Sequence, residues 1–156
     1  MEDYRGVLGN LHGLFCIGGA IGTLMSGYIA EGVGRRTAGL IGDLFCLVSY
    51  IFYSMPNLVV LYIARGLSGV GAGMILGIAG NHIAEIIPQY HNNFAKFMIF
   101  ISYAIFHTLA YIVGYSVEET VSGWWRLAFL LPLPFTLFRI FMFVFVYNFD
   151  TPKFIF

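Results

Sequence analysis

Five apolar stretches, each of about 19–27 residues, fill most of this sequence, and only short polar breaks separate them. They cover residues 7–30, 37–55, 58–84, 94–115 and 126–147, with breaks at 31–36, 56–57, 85–93 and 116–125. A helix needs about 20 apolar residues to cross the hydrocarbon core of a bilayer, so each stretch is long enough to span. Lipid offers the backbone no hydrogen-bond partners, which leaves helices and closed barrels as the spanning structures. The segments of roughly ten alternating residues that mark a transmembrane barrel are absent. The expectation is an all-α membrane protein, with residues 1–156 forming one transmembrane domain of five helices.

Composition closes the alternatives. The chain is 59% hydrophobic and 10% charged, where soluble domains run near ~45–50% and ~25%. A soluble fold of this size could not hide so much apolar surface, so a water-soluble enzyme is excluded. A net charge of zero without a basic stripe excludes a nucleic-acid partner, and the apolar content excludes disorder. The first partner of this chain is the lipid bilayer. Cys16 and Cys46 lie inside apolar stretches and read as small packing residues. No histidine spacing accompanies them, so no metal and no cofactor are expected. Met1, Glu2 and Asp3 lack the basic character of a signal peptide, so the first stretch is expected to be a permanent span.

Five spans put the termini on opposite sides. One side collects Arg35, Arg36, Lys96 and Lys153, and the other collects Arg5 and Arg126. The positive-inside rule makes the first side cytoplasmic or its organellar equivalent. Trp124 and Trp125 beside Arg126 fit an aromatic belt at the other interface.

Two features inside the spans stand out. Gly69, Gly73 and Gly77 recur every fourth residue of the third span, clearing one helix face for close approach by another helix. Asp43, Arg65, Arg139 and Glu85 place charge within spans, where an unpaired charge is costly and needs a partner or a wet cavity. Asp43 and Arg65 differ in depth by about 11 Å, too far to pair, whereas Arg139 matches the depth of Asp43. An Asp43–Arg139 intramembrane pair is therefore expected, and Glu85 lies within reach of Arg35 or Arg36. A structural role is the expectation for these charges ahead of a substrate role. His82, His107 and Glu85 form the sole candidate proton-relay or ligand set, with His82 and Glu85 three apart on one helix face. No nucleophile–base constellation, Walker loop or dinucleotide fingerprint is present, so no catalytic site is expected.

Several motifs in order carry a family resemblance. Gly27, Glu31, Gly34, Arg35 and Arg36 fall in a segment that resembles the G-x-x-x-D-(R/K)-x-G-R-R loop between helices two and three of the sugar porters of the major facilitator superfamily, near the facilitative glucose transporters. The run from Ala64 to Gly73 resembles the start of that family's helix four, and Glu85 and Pro88 resemble its E-x-x-P element. Trp125, Arg126 and Pro132 resemble the entry to helix six, and Asp150, Thr151, Pro152 and Lys153 resemble the E-S-P-R motif after it. The resemblance implies that the five spans are helices two to six, a partial N-terminal bundle of a twelve-helix fold. It also implies a cytoplasmic gate built from these motif residues and hexose transport by alternating access, with the site between two halves.

The chain departs from the family pattern at three places. Asn92 and Asn93 stand where the family has an Arg-Gly pair, and Glu31 and Gly32 replace an acidic-basic Asp-(Arg/Lys). Phe100 or a neighbour falls at the position of a sugar-binding glutamine. No substrate-binding residue is assigned. Helix one and the second half are expected to be missing, which would leave a groove along the glycine-rich span for other membrane subunits. Two readings stay open: a non-transporting accessory subunit of a larger membrane complex, and a monosaccharide transporter truncated here or assembled from halves. The family implies a plasma membrane, and a subunit role fits an organellar inner membrane.

Overall fold

The computed structural model describes residues 2–117 and 130–146. Among the described residues five helices follow in order: α1 (Glu2–Val33), α2 (Arg35–Tyr53), α3 (Leu58–Ile86), α4 (Gln89–Val117) and α5 (Leu133–Phe141). A π-helical turn (Met142–Val146) continues α5. Four of the described helices are long and apolar enough to cross a membrane, over Gly6–Val33, Arg35–Tyr53, Leu58–Glu85 and Tyr90–Ala110. The fifth expected span is described only over its second part, an apolar stretch at Leu133–Val146.

Each break has a local cause. Gly34 takes φ 92°, a left-handed value that favours glycine, and separates α1 from α2 with a single residue. Asn57 caps α3 by accepting from the Val59 amide at 3.1 Å. Ile87 adopts an extended backbone because it precedes Pro88, and this ends α3. Pro132 and Pro134 open α5, where a missing amide proton costs nothing. Two polar breaks are shorter than the expected 31–36 and 85–93. Residues 31–33 complete α1, and α4 starts at Gln89. Polar residues end an apolar run without ending the helix, whose hydrogen bonds continue into the interfacial region.

Packing is uneven. α3, apolar on all sides, sits at the centre, with α1 and α2 against it. Its neighbours come close because glycines leave the backbone bare. A methyl group at Gly69 would strike the Phe15 carbonyl, one at Gly73 would strike Gly19, and one at Gly22 would strike Val70. On the other side, a methyl at Gly71 would overlap Cys46 and the Gly42 carbonyl. Ala38, Ala64 and Met74 complete a core of mostly small side chains. Such close backbone approach is how helices associate in lipid, which gives them no hydrophobic drive to pack. Two buried serine hydroxyls are satisfied by their own helices: Ser26 donates to the Thr23 carbonyl and Ser49 to the Cys46 carbonyl, both at 2.6 Å. α4 is different. Phe94, Phe97, Phe100, Tyr103 and Phe106 are all exposed along it, which suits a helix whose solvent is lipid or a further protein segment.

Candidate functional site

Polar chemistry concentrates in two places: along the seam between α2 and α5, and in a cavity beside α3. The seam has three rungs. At one end Arg36 donates from Nε to the Phe143 carbonyl in the π-helical turn at 2.9 Å. In the middle Arg139 donates to Asp43 Oδ1 in an ion pair, with the aspartate side chain fully buried and the arginine side chain 35% exposed. At the far end the Tyr50 and Thr136 hydroxyls share a hydrogen bond of 3.3 Å. Arg36, Asp43 and Tyr50 are spaced by seven residues, two helical turns, so they project from one stripe of α2. Their partners at 143, 139 and 136 run the opposite way, as an antiparallel neighbour requires.

Beside the first rung, Arg35 ties α2 to α3. Its Nε and Nη2 both donate to Glu85 Oε1, at 3.3 and 3.0 Å. Arg35 thus meets Glu85, while Arg36 turns to α5. Gly34 is buried at the junction, while Gly27 and Glu31 lie exposed on α1. Pro88 forms the break after α3. Asp150, Pro152 and Lys153 lie outside the described residues, as do Trp124, Trp125 and Arg126.

The cavity, of about 640 Å³, runs along α3 between α2, α4 and α5, past Arg65, Ser68 and Ala72. Arg65 sits over the rings of Phe15 and Tyr53, at 5.7 and 6.0 Å from their centroids. The Tyr53 hydroxyl meets Ser68 Oγ at 2.9 Å, and Ser68 also donates to the Arg65 carbonyl at 3.0 Å. The walls are otherwise apolar and include Phe106 and Phe135, whose rings meet edge to face at 6.4 Å. Gly69, Gly73 and Gly77 face α1, so the close-packing stripe lies on a different side of α3 from this cavity.

His82, Glu85 and His107 do not form one cluster. His82 packs edge-on to Phe143 at 6.5 Å, whereas His107 stacks on Tyr103 of α4 at 5.6 Å with the rings 13° apart. Among the described residues no three His, Cys, Asp or Glu side chains could hold a metal ion. The Arg36, Tyr50 and Thr136 contacts and the aromatic seat of Arg65 escaped the reading of sequence alone. The seven-residue spacing on α2 was the available signal for the first three.

Comparisons with known proteins agree with this architecture. The sequence profile of the family described as "Sugar (and other) transporter" matches residues 3–156. The chain is 32% identical over 132 residues to "Probable plastidic glucose transporter 2" of Arabidopsis thaliana, covering 83% of this chain and 27% of that protein. It is 29% identical over 154 residues to "Hexose transporter 1" of Plasmodium falciparum, covering 90% of this chain and 30% of that one. The chain therefore spans less than a third of the length of these relatives. The fold is similar to the inward-open xylose transporter XylE from E. coli, with a TM-score of 0.77, 22% identity, and coverage of 96% of this chain and 39% of that one. With its family motifs in order along a helical membrane bundle, this chain belongs to the sugar transporter family, a family of transporters and not of enzymes.

Proposed function

We propose that this chain forms one wall of a hexose pathway, as part of the first half of an alternating-access carrier. One observation carries the reading: relatives named as glucose and hexose transporters align over 83–90% of the chain. In carriers of this kind the site lies at the interface of two structural repeats near the bilayer midplane. The cavity along α3 supplies such a wall, with Arg65, Tyr53 and Ser68 as its polar groups. The glycine-bared contact between α1 and α3 and the α2–α5 seam make the helices around it move as one body. An organellar envelope is proposed as the membrane, with the plastidic relative as its support.

The test is uptake of radiolabelled glucose by proteoliposomes containing the protein as purified from its native membrane. Saturable uptake, lowered by Arg65→Gln or Tyr53→Phe, supports the reading. A homogeneous preparation that shows no saturable uptake and copurifies with unrelated membrane subunits overturns it. The chain then has the accessory role, with those subunits seated in the groove.

A further inference from the structure

A second cavity, of about 230 Å³, opens between α2, α3 and α5, apart from the one along α3. It is lined by Arg35 and His82 toward the helix ends, by Arg139 deeper in, and by Ile75, Ile78 and Phe143. Two buried nitrogens here, His82 Nδ1 and Arg139 Nε, have no hydrogen-bond partner among the described residues. Buried polar groups in lipid need partners, and both residues line this one cavity. Arg35 uses two of its five N–H donors on Glu85, and Arg139 gives one to Asp43. Neither carboxylate is among the described lining residues. An occupant would therefore face two guanidiniums and an imidazole.

Depth decides what that occupant is. Arg35 opens α2, and His82 lies four residues before the end of α3, about 6 Å from it along the axis. This is headgroup depth. Ile75 lies eleven residues before the same end, about 16 Å inward, at the depth of acyl chains. A basic end at the interface with an apolar wall leading toward the bilayer centre fits a molecule with that same polarity. Basic pockets between transmembrane helices are known recognition sites for lipid headgroups. We propose that this cavity binds a glycerophospholipid, its phosphate held by Arg35 and His82, with Arg139 deeper on the wall beside the glycerol and the upper part of one acyl chain laid along Ile75 and Ile78. A cavity of this volume takes only the head and first methylenes, so the rest of the lipid stays in the bilayer. The site is distinct from the proposed sugar pathway and does not depend on it.

The experiment is native mass spectrometry and thermal unfolding of the chain in mild detergent, titrated with dioleoylphosphatidylglycerol, with dioleoylglycerol or with inorganic phosphate. The phospholipid is expected to be retained and to raise the unfolding midpoint, and neither of the other two probes should do so. Ala79→Phe fills the cavity without touching a charge and should abolish retention. His82→Ala should weaken it at least about fivefold. Retention by both variants equal to the unaltered chain overturns the site. Equal retention of dioleoylglycerol overturns recognition of phosphate, and equal stabilisation by inorganic phosphate overturns the lipid as its source. Because Ala79→Phe and His82→Ala leave the Asp43–Arg139 pair intact, a folded variant is expected, and unchanged unfolding midpoints without lipid verify it.

Discussion

The α1–α3 contact and the α2–α5 seam join helices by opposite means. Between α1 and α3 there is almost no side chain at all: Gly19, Gly22, Gly69 and Gly73 bring the two backbones together, and Thr23 Oγ1 bridges to the Gly73 carbonyl at 3.2 Å. Between α2 and α5 the backbones stay apart, and long polar side chains reach across at three levels. The first contact depends on shape alone, so it tolerates no added atom and is indifferent to charge. The second depends on matched polarity, so it tolerates changes of size and fails when one partner is lost. Lipid suits both strategies, because its disordered chains pack less closely on a bare backbone than another helix does and offer no hydrogen bond.

The largest effect should come from splitting the middle rung. Asp43→Leu leaves Arg139 charged beside a buried apolar surface, and Arg139→Leu strands a fully buried aspartate. Breaking a buried pair from one side costs about 3–5 kcal/mol. Each single variant should therefore lose most of its folded population, read as the thermal unfolding midpoint in detergent. The double variant Asp43→Leu with Arg139→Leu removes both charges and should regain most of that loss, since two apolar residues can substitute for a buried pair. Additive losses in this cycle would show that the two residues do not act together.

Next comes a graded series on the glycine face. Gly73→Ala places a methyl against the Gly19 backbone, which cannot yield without moving α1, and should cost about 1–3 kcal/mol. Gly77→Ala meets the Ser26 hydroxyl instead, a side chain that can turn aside, and should cost less. Gly80→Ala meets nothing within 4 Å and should be neutral or stabilise by up to about 1 kcal/mol through helix propensity. Thermal midpoints in the order Gly80→Ala, Gly77→Ala, Gly73→Ala, from highest to lowest, are expected. Equal effects at all three positions would break the claim that this contact works by shape.

The helices and the middle rung could be read from residues because each rests on one simple quantity. Span length follows from apolar run length, and the Asp43–Arg139 match follows from counting depth at a fixed rise per residue. Arg35 and Glu85 were also within reach by that count. Gly69, Gly73 and Gly77 announced a close contact without naming the helix that makes it, since small residues state what can approach and not what does. The Phe143 carbonyl could not be foreseen as a partner for Arg36, because every helical carbonyl looks alike in sequence until the fold brings one within reach. Arg65 looked stranded for a similar reason: counting charges overlooks aromatic faces, and Phe15 and Tyr53 are what it meets.

The smallest effects belong to two tyrosine hydroxyls: Tyr50, the hydroxyl rung of the seam, and Tyr53, which ties α2 to Ser68 of α3. Tyr50→Phe removes a bond of 3.3 Å, but Thr136 keeps its own bond to the Pro132 carbonyl at 3.1 Å. Tyr53→Phe removes a shorter bond of 2.9 Å, and Ser68 likewise keeps the Arg65 carbonyl. Thr136 and Ser68 thus keep partners, so each change should cost little, on the scale of one neutral hydrogen bond, about 0.5–1.5 kcal/mol, with Tyr53 also lying against Arg65. Tyr53→Phe should sit at the upper end of that range and Tyr50→Phe at the lower. An unfolding midpoint that falls as far in Tyr50→Phe as in Asp43→Leu would mean that the hydroxyl rung holds α5 as firmly as the ion pair does. In that case the contrast between a shape-matched contact and a charge-matched seam would have to give way to two interfaces that both depend on fit.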